Sequence, residues 1–119
     1  MSKVKVGVAG YGVIGQRLAD GVALQEDMEL VGVADVKPTI SVKALKHMGM
    51  PYKMFNVMPK DTSMADAGIP IAGSFDELVQ EVDIMLDSSP GGFGVKNKEI
   101  YEKYNKKAIF QGGEKNEVA

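Results

Sequence analysis

Val4-Lys5-Val6-Gly7-Val8-Ala9-Gly10-Tyr11-Gly12-Val13-Ile14-Gly15 decides how this chain is read. An apolar run suited to a buried strand meets a G-x-G-x-x-G turn. A second apolar run, Leu30-Val31-Gly32-Val33-Ala34, ends on Asp35, twenty residues beyond Gly15. Strand, glycine turn, helix and acidic strand end together form the pattern of a dinucleotide-binding βαβ unit. Each glycine has a mechanical reason: Gly10 permits the tight turn, Gly12 lets backbone N–H groups approach a pyrophosphate, and Gly15 lets the helix pack on the strand. The phosphate then sits at the positive end of a helix whose first turn is Val13, Ile14 and Gly15. The glycine spacing alone is weak, because 14 of the 119 residues are glycine.

Working outward, strand-like and helix-like runs alternate, which argues for an α/β fold with a doubly wound, mostly parallel sheet. Ile14, Leu18 and Val22 predict the apolar stripe of the first helix. Ser41 is expected to cap a second helix carrying Val42, Leu45 and Met48, ended by Gly49 and Pro51. Tyr52 to Val57 reads as a third strand, Pro59 to Ala67 as loop or frayed helix, and Ile69 to Ala72 as a short extended segment. Ser74 and Glu77 form a capping box that opens a helix through Leu78 and Val79. Val82 to Leu86 is a further strand, Gly94 to Tyr104 a helix with a Glu99/Lys103 pair, and Lys107 to Gln111 a last strand.

A length of 119 residues is about one domain, short for a cofactor domain plus a substrate domain. We therefore read residues 1–119 as one dinucleotide-binding domain and as part of an enzyme. The net charge of −2 gives no basic surface for nucleic acid and no acidic tail. With no cysteine, these residues hold no disulfide, thiolate metal site or cysteine nucleophile. Met1 to Lys5 runs straight into a short strand, unlike a signal peptide, so a cytoplasmic protein without membrane contact is expected.

In a doubly wound sheet the ligand lies beyond the carboxyl ends of the strands. Three loops there carry chemistry: residues 10–15, residues 35–38, and Ser88-Ser89-Pro90-Gly91-Gly92, whose hydroxyls suit a ribose or phosphate. Gln111-Gly112-Gly113-Glu114 ends the last strand, and its glycine pair suits close approach of a flat nicotinamide; for both of the later loops a plain turn is the rival reading. The Asp35 carboxylate accepts hydrogen bonds from adenosine ribose hydroxyls and repels a 2′-phosphate, which favours NAD. Lys37 can reach a 2′-phosphate and keeps NADP open. On this charge argument Asp35→Ala costs NAD and leaves NADP level or better bound. His47, the sole histidine, has no partner at ligand spacing and is given no role, and Ser88/Ser89 lack the G-x-S-x-G elbow of a serine nucleophile.

Val6 to Arg17, Ala67-Gly68-Ile69-Pro70-Ile71-Ala72-Gly73, Pro90 to Lys98 and Ala108-Ile109-Phe110-Gln111-Gly112-Gly113-Glu114-Lys115 together resemble the archaeal-type (type II) phosphorylating glyceraldehyde-3-phosphate dehydrogenases. The Ile-Phe-Gln-Gly-Gly-Glu-Lys string is far more specific than the glycine turn. The resemblance runs nearly end to end but covers about the N-terminal third of such an enzyme, the first part of its NAD(P)-binding domain. It implies that the nucleophilic cysteine and the substrate-binding, oligomer-forming domain follow. For the complete enzyme it implies thiolate attack on an aldehyde, hydride transfer to nicotinamide and release by phosphate as an acyl phosphate. It also implies that Gly12 and Val13 contact the pyrophosphate and Gly112 the nicotinamide side. Departures stand at Ala9, where the family usually has Asn, at Val13, where it has Thr, and at Asp35-Val36-Lys37-Pro38, where Lys-Thr-Lys-Pro is common. The first two remove polar contacts and the third weighs against NADP.

The expected cofactor-binding set is Gly10, Gly12, Val13, Ile14, Gly15, Asp35, Lys37, Ser89, Pro90 and Gly112, with NAD preferred, NADP as the alternative, and no catalytic or metal-ligating residue. Two other functions compete: a stand-alone nucleotide-binding module without catalysis, and the cofactor domain of a different semialdehyde dehydrogenase. The first draws on the missing nucleophile, whereas the second does not explain the Gln-Gly-Gly-Glu-Lys string.

Overall fold

A computed structural model describes residues 3–57, 62–89 and 93–110, with side chains of 93–95 left aside. Its elements, in chain order, are β1 (Val4–Ala9), α1 (Val13–Ala23), β2 (Met28–Asp35), α2 (Ile40–His47), β3 (Met54–Asn56), α3 (Ser63–Asp66), β4 (Gly73–Ser74), α4 (Phe75–Glu81), β5 (Ile84–Asp87), α5 (Phe93–Lys103) and β6 (Lys107–Phe110). All strand pairs are parallel, in the order β4-β3-β2-β1-β5-β6. The chain builds outward from β1 to β4 and then returns to the other side of β1 for β5 and β6. That reversal puts a crevice beyond the carboxyl ends of β1 and β5.

Two cores sandwich the sheet. One face packs Val8 and Val33 against Ala19 of α1, Val42 and Leu45 of α2, and Met64 of α3. The other packs Ala9, Ala34 and Phe55 against Phe75, Leu78 and Val79 of α4 and Tyr101 of α5. Helices on both faces make this the doubly wound, Rossmann-type sheet that the alternating sequence pattern predicts.

Local details depart from the sequence reading where packing overrides periodicity. The buried stripe of α1 is Gly15, Ala19 and Val22, and Ile14 is 45% exposed. Small residues face the sheet because α1 lies close over β1, which turns Ile14 outward. The N-cap of α2 is Thr39, not Ser41; its Oγ1 accepts from the Val42 N–H at 3.3 Å. The helix starts two residues early, at Ile40, and ends with Met48 exposed. β3 shrinks to Met54–Asn56. The short extended segment read at 69–72 precedes the paired strand Gly73–Ser74, and the Ala72 N–H donates to the Met54 carbonyl. β5 begins at Ile84 because Val82 closes α4.

The Ser74/Glu77 capping box forms as read, with the Ser74 hydroxyl and Glu77 carboxylate each accepting from the other's backbone N–H. Among the described residues no helix is long and apolar enough to cross a membrane.

Candidate functional site

The glycine turn leaves β1 at the switch point and enters α1. Gly10 has φ +83°, the left-handed region that side chains avoid, and a Cβ there would lie 2.8 Å from the backbone N and Cα of Ser89. A Cβ on Gly15 would run into the Gly10 carbonyl oxygen. A Cβ on Gly12 would meet nothing within 4 Å among the described residues. Gly10 and Gly15 are thus required by the fold itself, while Gly12 borders open space in front of the helix.

Gly12 is also the N-cap of α1, with φ −89° and ψ −155°, no side-chain cap and no acidic residue in the first turn. The leading N–H groups of a helix lack intrahelical partners, so this end presents donors and a positive partial charge outward. Val13 and Ile14 stand exposed beside it, at 65% and 45%.

Asp35 closes β2 and is 7% exposed. Its Oδ2 accepts from the Tyr11 N–H at 2.9 Å and its Oδ1 from the Val36 N–H at 2.7 Å. Burial raises its pKa above the ordinary value of 3.8, opposed by the backbone N–H groups of Val36, Tyr11 and Lys37. The Gly10 N–H donates to the Ala34 carbonyl at 2.7 Å, a second tie between loop and strand. Lys37 is exposed just beyond.

On the other flank, the Ser88 N–H donates to the Ala9 carbonyl at 2.8 Å, and the Ser88 hydroxyl to the Gly10 carbonyl at 2.8 Å. Ser89 is buried below it. Asp87, fully buried at the end of β5, accepts from the Tyr101 hydroxyl at 2.6 Å, the Asn97 amide at 3.0 Å and the Ser89 N–H at 2.9 Å. The same Asn97 amide donates to the Ser89 Oγ at 3.2 Å.

Of the residues expected at a cofactor site, Gly10, Gly12, Val13, Ile14, Gly15, Asp35, Lys37 and Ser89 fall at one edge of the sheet, at the ends of β1, β2 and β5. Pro90 and Gly112 lie outside the described residues. Ala9, where a polar side chain was expected in relatives, is fully buried in the core. Sequence reasoning missed Asp87, Asn97 and Tyr101. The signal was present: Asp87 ends an apolar strand just as Asp35 does, and Asn97 and Tyr101 are spaced i, i+4 on one helix face. His47 is exposed on α2, away from this edge.

No family model matches the chain. In sequence it is 46% identical over 119 residues to the glyceraldehyde-3-phosphate dehydrogenase of Sulfolobus acidocaldarius, matching 100% of this chain and 34% of that protein. Those of Pyrococcus furiosus (46% identity, 98% of this chain, 35% of the relative) and Methanosarcina mazei (44%, 100% and 35%) are similar to it in the same way. The chain therefore spans about a third of the length of these curated relatives. In structure it resembles GenD2 from gentamicin A biosynthesis, solved in complex with NAD, with a TM-score of 0.63 at 12% identity over 92% of this chain and 27% of that one. It also resembles apo scyllo-inositol dehydrogenase from Lactobacillus casei, with a TM-score of 0.58 at 18% identity over 92% and 28%. At such identities these two speak for the fold alone. The sequence matches are far more specific: over its whole length the chain is similar to the N-terminal third of the mostly archaeal glyceraldehyde-3-phosphate dehydrogenases.

Proposed function

We propose that residues 1–119 are the dinucleotide-binding domain of a phosphorylating glyceraldehyde-3-phosphate dehydrogenase, a cytoplasmic, homo-oligomeric enzyme that oxidises an aldehyde to an acyl phosphate. NAD is the preferred cofactor and NADP the alternative. The observation that carries this reading is the division of labour among the three glycines. A fold needs Gly10 and Gly15 here, but nothing among the described residues needs Gly12 to lack a side chain. A ligand pressed against the uncapped start of α1 does need it.

Nicotinamide, when bound, supplies the hydride acceptor. The chain's own residues bind and orient. First-turn N–H groups of α1 receive the pyrophosphate at Gly12, Val13 and Ile14. Asp35 takes the adenosine ribose hydroxyls; a carboxylate has about four lone-pair sites, and the backbone N–H groups of Val36, Tyr11 and Lys37 draw on three of them. Lys37 is the group that would meet a 2′-phosphate. Ser89 and Pro90 are assigned to a ribose or phosphate of the cofactor, and Gly112 to the nicotinamide side. The chain's work is positioning rather than bond-making.

Calorimetric titration of the purified chain with NAD tests the reading. Gly12→Val is expected to abolish binding while leaving the melting temperature unchanged, since its Cβ enters open space. Unchanged affinity in the folded variant would remove the phosphate-loop assignment.

A further inference from the structure

We infer that Asp87 is a positioning residue for the glycine loop, setting through Ser89 where the start of α1 presents its N–H groups. This rests on the dinucleotide-binding reading above and deepens it.

Asp87 is fully buried, and a buried carboxylate is costly unless hydrogen bonds satisfy it. Here a phenol, an amide and a backbone N–H do so, and they come from two separate parts of the edge. Tyr101 and Asn97 project from one face of α5, and the N–H belongs to Ser89 in the turn after β5. The Asn97 amide bridges Asp87 and the Ser89 Oγ, which closes a ring of hydrogen bonds around the turn.

Ser89 in turn abuts the phosphate loop. Its backbone N and Cα occupy the space where a side chain on Gly10 would go, at 2.8 Å. Beside it the Ser88 hydroxyl donates to the Gly10 carbonyl at 2.8 Å. Gly10 is held from the far side by the Ala34 carbonyl, and Tyr11 by Asp35. The loop therefore sits between two carboxylates, Asp35 from β2 and Asp87 acting through the serine turn. Movement of Ser89 changes the support under Gly10, and Gly12 lies two residues further along. An apolar core would fill the space under β5 at less cost but would give Ser89 no directional hold.

The test uses the 119-residue chain with Tyr101→Phe, which removes a donor, Asp87→Asn, which turns one acceptor oxygen into a donor, and Val79→Ala as a core truncation on the same face of the sheet outside the network. Affinities for NAD and ADP-ribose are measured by calorimetry, melting temperatures by circular dichroism, and the amide resonances of Gly10 and Gly12 by NMR. Tyr101→Phe is expected to weaken both ligands about tenfold, the scale of one hydrogen bond to a charged group, and to shift the Gly10 and Gly12 resonances. Val79→Ala is expected to lower the melting temperature and leave affinities and those resonances as in the parent. Parent-like affinity in both network variants, or an equal loss in Val79→Ala, overturns the positioning role. A parent that binds neither ligand overturns the dinucleotide reading instead, and the Gly10 and Gly12 resonances of Tyr101→Phe then decide the positioning claim by themselves.

Discussion

The Asp35 carboxylate accepts a hydrogen bond from the Tyr11 N–H at 2.9 Å, so the residue that would select the cofactor also fastens the loop that would hold its phosphates. Charge alone predicts that Asp35→Ala costs NAD and spares NADP. The Tyr11 contact changes the second half of that expectation, because loosening the loop penalises both dinucleotides.

Asp35→Ala is therefore expected to weaken NAD about tenfold or more, as for loss of a hydrogen bond to a charged group worth about 1.5–3 kcal/mol. NADP should weaken by less, since relief of its repulsion offsets part of the loop's loss. Binding constants for both cofactors at low and high salt measure this, salt screening the repulsion more than the ribose contacts. A parent that prefers NADP, or an unaltered NAD to NADP ratio in the variant, would make Asp35 a loop anchor only.

The same carboxylate predicts a pH dependence. Burial lifts the Asp35 pKa above 3.8, outweighing three backbone N–H groups that lower it. The ionised form is the ribose acceptor, so NAD affinity should fall on acidification, with a midpoint above 3.8. Stability runs the other way. A raised carboxyl contributes stability that is fully present below the unfolded value, about 3.9, and is lost as pH rises through the folded one. Relative to Asp35→Asn, the parent should thus gain thermal stability and lose NAD affinity as pH falls towards that range. A binding midpoint at or below 3.8 would contradict the burial argument.

Gly15→Ala should act on the fold rather than on the ligand. Its methyl group would collide with the Gly10 carbonyl oxygen and approach the Ser88 Oγ to 2.9 Å, a backbone clash of the kind that costs about 1–3 kcal/mol. Urea unfolding of Gly15→Ala beside Gly12→Val separates the two glycines. Equal stability of the two variants would mean that α1 can shift on β1.

How far the fold and the site could be read beforehand depends on how local each signal is. The glycine turn, Asp35 and the Ser74/Glu77 box are governed by neighbours within a few residues, and the chain displays them openly. Ile14 misled because helical periodicity does not report which face lies close to a sheet; only packing against β1 assigns that face to Gly15 and Ala19. Thr39 displaced Ser41 because α2 begins at Ile40, which puts Thr39 in the cap position. The i, i+4 spacing puts Asn97 and Tyr101 on one helix face, but that they meet Asp87 is settled only once α5 folds back on β5.

Tyr52 gives a prediction away from the cofactor edge. Its hydroxyl donates to the Asp20 carboxylate at 2.6 Å, linking the approach to β3 with α1. That hydrogen bond, then burial and the Asp20 charge, push its pKa up to about 12. The raised phenol stabilises the fold below its unfolded value, about 10, and the contribution is lost as pH rises towards 12. Phenolate absorbance should show one tyrosine titrating near the top of that window in the parent and lower in Asp20→Asn. The same late titration in both proteins would remove Asp20 as the cause.

The chain by itself should show no turnover with glyceraldehyde 3-phosphate, NAD and phosphate, even where it binds NAD. The thioester route needs a thiolate, and these 119 residues contain no cysteine. The serines at the site offer no substitute. The Ser88 hydroxyl donates to the Ala9 and Gly10 carbonyls, and the Ser89 Oγ accepts from Asn97. The sole histidine, His47, is exposed on α2 and away from both, so neither hydroxyl has an imidazole base to activate it. NADH absorbance under saturating substrate, with a preparation free of longer enzyme, measures the outcome. Turnover above the enzyme-free rate would place a nucleophile within these residues and overturn their assignment as a binding domain whose chemistry is supplied elsewhere.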